Sequence, residues 1–478
     1  MPQRQFTGPI ISHPRLEGDK KLISTWTEIS SFSEVAPKVV FLGPNELKQI
    51  NVRELKTASR DIRIFDLVIS DVSKRVRVTL DYGYISTRPT DKFSWRNLPW
   101  FKCVFDGGKR WVTRFILGSC LYPGSPPERE LSDKIFLAMR PFIKSEEKDT
   151  GYGVDHMLLM GDQIYSDATA DLIDPLTQLE RFQERYQRAF GGESRLSGLN
   201  AHWAMAHLPT YFAVDDHEIE NNWPQNVSRT SMMQGTNVED DFKAARDNAR
   251  DFLIHHSVTQ TTLWYSFVSM DFPCFVFDTQ TERSLDDRTK LMENSQMKGF
   301  INWLDNVQFS SKPIIIVTGS PLGPILDSEQ KFPELTKNSD TLLRYPSYLK
   351  RLIKEVTRRK IKKLMWFSGD NHQSSLCEYK IEDVITRQSI DVVHVIASGL
   401  YAPLPFANRN WVDYPSNIKI ELDGVTISGK QTLITDVNSH FLQVSIVESE
   451  VNDNNQWVLS VYSVNADGEN SREHHVVI

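Results

Sequence analysis

Cysteine is scarce in this chain: Cys103, Cys120, Cys274 and Cys377 are the four among 478 residues, and no two form a CxxC pair. That spacing excludes a disulfide scaffold and a zinc knuckle as the organising principle. No uncharged apolar run reaches the length needed to cross a bilayer, so no membrane span is expected. The first residues, MPQRQFTGPIISHPRLEGDKK, contain neither an apolar h-region nor a twin arginine, and the cytoplasm is therefore the expected compartment. Positive charge is not in excess either. The formal net charge is −7, which argues against a dedicated nucleic-acid-binding domain.

Several catalytic signatures are missing as well. There is no GxSxG elbow and no GxxxxGK[ST] loop, which removes support for serine hydrolases and P-loop NTPases. His217-Glu218 begins like a zincin helix, but Asn221 stands where the second histidine would be required.

The chain does have ample apolar material, 40% of its residues, and charge of mixed sign, which fits a large folded core. Its texture divides in two, predicting a β-rich N-terminal domain over residues 1–110 and a second domain over 111–478. In the first, Val76, Val78, Leu80 and Tyr82 alternate with Arg75, Arg77, Thr79 and Asp81, the period of a half-buried strand. From Trp111 onward, short apolar runs end abruptly in small or acidic residues. Phe115–Leu117 leads into Gly118-Ser119-Cys120, Met157–Met160 into Gly161-Asp162-Gln163-Ile164-Tyr165, and Tyr211–Val214 into Asp215-Asp216-His217-Glu218. Similar runs are Phe275–Phe277, Ile314–Val317, Leu364–Phe367 before Ser368-Gly369-Asp370-Asn371-His372, and Val392–Ile396. Near-continuous apolar strands are what a sheet covered on both faces requires.

Between these runs, helical spacing predicts helices over about 176–190 and about 239–255. The expected fold class is α/β and layered. Residues 417–478 return to strand-like runs and are expected to complete one of the sheets. The basic run Arg358–Lys363 reads as a solvated face before a strand. His156 and His394, inside apolar runs, read as core residues.

The polar residues at the strand ends are Cys120, Asp162, Tyr165, Asp215, Asp216, His217, Asn221, Asn222, Asp370 and His372. A phenol and a thiol suit a ferric ion, whereas carboxylates and amide oxygens suit calcium, magnesium or manganese. Several carboxylates at one sheet edge must either bind cations or remain partly protonated. Asp215 reads as a structural residue that caps or orients its neighbours.

In their order along the chain, GSC, GDQIYSD, DDHEIENN and SGDNH resemble the motif set of PhoD-like phosphatases, within the calcineurin-like metallophosphatases. The resemblance covers roughly residues 111–410. It implies a layered metallophosphatase fold, a β-sandwich flanked by helices, and metal-dependent hydrolysis of phosphate mono- or diesters by a metal-activated hydroxide. Its metals would be Fe3+ plus Ca2+, with Mn2+, Mg2+ or Zn2+ as substitutes. The substrate would be a small-molecule or polymeric phosphate ester.

By the same resemblance Asp162 is the bridging carboxylate, Tyr165 and Cys120 are ligands of the ferric ion, and Asp216, Asp370 and His372 are further metal ligands. His217 would contact the phosphate or the leaving group, and Asn222 would sit near the second metal or the phosphate. The stretch FDTQTERS resembles a DTRxxR segment in which Gln280 replaces an arginine, while Arg283 is retained to clamp phosphate. Two other classes fit parts of this pattern: a catalytically silent metal-binding scaffold, and a carbohydrate- or lipid-binding protein acting through its β-rich ends.

Overall fold

A computed structural model describes the backbone of seven strands between residues 10 and 81, and then residues 112–122, 126–144, 154–166, 182–183, 185–190, 199–220, 223, 238–253, 262–269, 272–283, 290–323, 341–361, 363–397, 399–402, 417–435, 439–451 and 454–478. Several sequence expectations lie outside these residues: Asn221, Asn222, Cys103, residues 176–181 and 184 of the first helix and the 254–255 end of the second.

The first seven strands are β1 (Ile10–Ile11), β2 (Arg15–Glu17), β3 (Lys20–Ile29), β4 (Lys38–Leu42), β5 (Leu47–Lys56), β6 (Asp61–Ile69) and β7 (Arg77–Asp81). Antiparallel pairing gathers β1, β2, β3, β5 and β6 into one sheet and joins β4 to β7 as a second. The alternating stretch around Val78 is β7, as its period of two predicts.

The remaining strands build two larger sheets. The six-stranded sheet contains β8 (Val112–Gly118), β9 (His156–Met160), β10 (Thr210–Ala213), β19 (His440–Val451), β20 (Asn454–Asn465) and β21 (His474–Val477), in the order β10-β9-β8-β19-β20-β21. The eight-stranded sheet contains β11 (Tyr265–Ser269), β12 (Phe272–Val276), β13 (Ile314–Val317), β14 (Lys363–Ser368), β15 (Ser374–Asp383), β16 (Ser389–Ile396), β17 (Asn417–Leu422) and β18 (Val425–Thr435), in the order β11-β12-β13-β14-β16-β15-β18-β17. The expectation that the C-terminal strands complete one sheet is corrected: β17 and β18 extend the eight-stranded sheet, and β19–β21 extend the six-stranded one.

Each sheet buries both faces, which explains the near-continuous apolar runs. Successive side chains of a strand point to opposite faces. Phe115 and Leu117 of β8 therefore enter a cluster shared with Cys274, Val276, Ile315, Met365 and Val395 of the other sheet. Ile116, between them, packs on the opposite side with residues of the helices Pro126–Lys144, Leu199–His207 and Val238–Leu253. The eight-stranded sheet is covered likewise, with Phe275, Ile316 and Trp366 meeting the helices Asn294–Val307 and Pro346–Arg358. The architecture is thus mixed α/β. Of the helix expected over 176–190, the described part is Arg185–Phe190; the one expected at 239–255 spans Val238–Leu253.

Two smaller expectations change. Arg359 is not part of a solvated face. Its guanidinium pairs with Asp305 at 2.6 Å and Glu355 at 2.7 Å, because the chain turns out of the Pro346–Arg358 helix back onto Asn294–Val307. His394 is a core residue but only half satisfied. Its Nε2 lies 2.8 Å from Ser368 Oγ, whereas Nδ1 is buried with no protein partner among the described residues.

Candidate metal centre

Strands β10, β9 and β8 run parallel, as do β12, β13, β14 and β16, so their C-terminal ends point the same way within each sheet. The loops leaving those ends carry the polar motifs, the position at which an α/β sheet offers a site. They are stitched to one another through backbone. Cys120 N donates to Gly161 O at 3.2 Å, Leu121 N to Asp162 O at 2.8 Å, and Gly369 N to Gly319 O at 2.8 Å. The two sheets are joined here too, by Leu400 N to Ser119 O at 3.0 Å and Ser119 Oγ to Ala397 O at 3.0 Å. Gly369 is required by this approach, since a Cβ there would lie 2.2 Å from Met160 O.

The stitched loops bring together seven of the nine residues expected from sequence. Three groups offer ligand atoms within 4.8 Å of one another: Cys120, Asp162 and His372; Asp162, Asp216 and His217; and Asp215, Asp216 and Asp370. Asp162 belongs to the first two groups and Asp216 to the last two, so the three form one chain of donors. Tyr165 joins the first. Its hydroxyl lies 3.2 Å from His372 Nε2 and 3.5 Å from Asp162 Oδ2, and Cys120 Sγ lies 3.4 Å from the same carboxylate oxygen. The His217 ring packs against Tyr165 with centroids 4.2 Å apart.

The backbone carries a second sign of a built site. Cys120, Asp162, Asp370 and His372 have φ of 56°, 55°, 75° and 52°, making half of the eight non-glycine residues with positive φ among those described. Each costs on the order of 1–2 kcal/mol for an L-residue. Such conformations persist where surrounding contacts over-determine them, here the backbone stitches between loops.

Electrostatics asks for cations at this place. Burial pushes the Asp162 carboxyl well above the ordinary carboxylate range, and Cys120, Asp216, Asp215 and Glu218 push it further in the same direction. Burial likewise raises the Tyr165 phenol, helped by Cys120, Asp162 and Asp216. A buried set of carboxylates, a thiol and a phenol whose anionic forms repel one another, with imidazoles beside them, fits metal ions, which would relieve that repulsion.

Of the other two expected residues, only Arg283 is described, and it stands apart from the donor chain. Asn222 lies outside the described residues. Arg283 is buried, and its guanidinium donates from Nε to Thr279 O at 2.5 Å, from Nη1 to Trp223 O at 3.1 Å and from Nη2 to Ser320 Oγ at 3.0 Å. Ser320 Oγ in turn donates to Asp215 Oδ1 at 3.0 Å, and Gln280 Nε2 donates to the same oxygen at 2.6 Å. Arg283 and Gln280 therefore hold Asp215 from behind, and the orienting role expected for Asp215 becomes that of a carboxylate oriented by its neighbours.

Glu218 is a residue that sequence reasoning missed. It is fully buried, and its carboxylate accepts bonds from the backbone N–H of Asp162 at 3.0 Å, Asp215 at 2.8 Å, Ile164 at 3.4 Å, and Gln163. Burial pushes its carboxyl up to about 7, against the lowering effect of these four donors. The available signal was its place in DDHE, directly after a buried strand, where an acid without a solvated face needs a partner.

The model of the PhoD-like phosphatase family matches residues 138–403, more than half of the chain. The match takes in every expected site residue except Cys120, which precedes it. No curated protein and no solved structure matches the chain.

Proposed function

The chain belongs to the PhoD-like phosphatase family, and from that premise we propose that it is a metallophosphoesterase whose centre is the donor chain running from Cys120 through Asp162 and Asp216 to Asp370. The observation that carries this reading is the sharing of Asp162 and Asp216 between neighbouring donor groups, which is the arrangement a multi-cation site needs.

Cys120, Tyr165 and His372, around one side of Asp162, suit a ferric ion. The carboxylates of Asp215, Asp216 and Asp370 suit a hard divalent ion such as calcium. When bound, the ions would acidify a water for attack on phosphorus and offset charge on the phosphoryl oxygens. The protein's own part is orientation and proton transfer. Tyr165 packs on the His217 ring and limits its motion, so that an imidazolium N–H can be offered to the leaving oxygen. The Gln280–Ser320–Arg283 network fixes Asp215, making Arg283 a positioning residue. The substrate class is a small-molecule or polymeric phosphate ester. The two large sheets with their helices are read as the layered sandwich of the family, over residues 111–478, with residues 1–110 as a separate β-rich domain.

The test is hydrolysis of an aryl phosphate diester and the matching monoester by purified protein, after chelation and again after iron and calcium are returned. Turnover that vanishes on chelation and returns with metal supports the reading. Protein that takes up metal and hydrolyses neither ester contradicts it and favours a silent scaffold.

A further inference from the structure

Two loops supply the middle of the donor chain. One follows β9 and carries Asp162 and Tyr165; the other follows β10 and carries Asp216 and His217. They come from adjacent parallel strands and touch closely, since a Cβ on Gly161 would lie 2.3 Å from Asp215 Cβ. The ladder between β9 and β10 ends with Met160 opposite Ala213, so the distance between Asp162 and Asp216 is set by the loops themselves.

Glu218 provides that setting. In the β9 loop, Gly161 and Asp162 have φ of 88° and 55°, and the three consecutive N–H groups of Asp162, Gln163 and Ile164 converge on one carboxylate. Successive N–H groups in such a turn form a concavity suited to an anion. Here the anion is the protein's own carboxylate, delivered from the other loop. Oε2 also accepts from Asp215 N, so one oxygen ties both loops together. A second set of bonds runs the same way: Ser166 N to His217 O at 3.0 Å and Ser166 Oγ to Ile219 O at 2.7 Å.

We propose that Glu218 is the positioning residue of the metal centre: by filling the concavity of the Asp162 loop from the loop that carries Asp216 and His217, it fixes the separation of the donors that share the ions. The inference rests on the metallophosphoesterase reading and adds to it a residue that touches neither substrate nor metal. An ionised carboxylate presents acceptors on both oxygens. A carboxamide of the same shape would turn one NH2 toward N–H donors, so Glu218→Gln loses either the Gln163 and Ile164 bonds or the Asp162 and Asp215 bonds while keeping volume.

The experiment compares full-length wild type and Glu218→Gln, stripped of metal and then titrated with iron and calcium against a chromogenic chelator, with kcat and KM measured on an aryl phosphate ester. A folded variant is expected to lose about 10- to 100-fold in metal affinity and in kcat, with KM little changed and activity partly recovered in excess metal. A folded Glu218→Gln protein that keeps wild-type affinity and kcat overturns the positioning role alone. Wild type that takes up no metal overturns the underlying reading as well. If the variant fails to fold, amide exchange on the wild type decides. Exchange at Asp162, Gln163 and Asp215 should be as slow as in strand interiors; rapid exchange overturns the proposal.

Discussion

The hydroxyl of Tyr165 lies 3.2 Å from Nε2 of His372, although 207 residues of chain separate them. The first belongs to the loop after β9 in one sheet, the second to the loop after β14 in the other. Their meeting reports that both sheets deliver donor groups to a single place. The hydroxyl is also buried beside Asp162, so its phenol ionises only with a strong cation at hand.

Tyr165→Phe is accordingly expected to fold and to bind metal more weakly. If a ferric ion occupies this position, wild-type protein loaded with iron should show a visible charge-transfer band that the variant lacks. An iron-loaded variant with an unchanged spectrum would remove Tyr165 from the ligand set.

Gly161→Ala tests how tightly the loops are packed. Its φ of 88° disfavours any L side chain, and the added Cβ would collide with Asp215. Left-handed strain and overpacking together predict a loss of about 2 kcal/mol or more in urea unfolding, with hydrolysis lost as Asp162 and Asp215 move apart. Wild-type stability in the variant would show that the loops are looser than described.

His394 predicts a pH dependence away from the centre. Burial lowers its pKa from 6.5 to about 3. Above pH 6.5 folded and unfolded chains both hold it neutral, and it adds no pH dependence. Between pH 6.5 and about 3 the unfolded chain binds a proton that the folded chain does not, so stability falls as pH falls, by at most about 1.4 kcal/mol per unit. Urea midpoints of wild type and His394→Gln across this window should show a shallower acid loss in the variant. Equal slopes would mean that His394 is not held neutral.

Much of the site was legible because strand-end polarity is a local signal. An apolar run followed by Gly-Asp-Gln-Ile-Tyr or Asp-Asp-His-Glu marks both the burial of the strand and the exposure of its end to a partner loop. What local pattern could not give was pairing at a distance. Residues 417–478 read as strands, yet their division between two sheets depends on partners such as Leu117 opposite Leu442 and Cys377 opposite Gln431. Arg359 read as solvated because one of its partners, Asp305, lies on a helix distant in sequence. Glu218 was passed over because its partners are backbone N–H groups, which carry no sequence signature. Arg283 was assigned to phosphate from the resemblance alone, and its bonds to Thr279 O and Trp223 O likewise carry no sequence signature.

Asp162 stands at the junction of two donor groups, and the account depends on it more than on any other side chain. The most direct measurement is hydrolysis of an aryl phosphate ester by Asp162→Asn beside wild type, both loaded with iron and calcium and both checked by circular dichroism. The account predicts a folded variant with depleted metal and no turnover above background. A folded variant with near-wild-type turnover would contradict it.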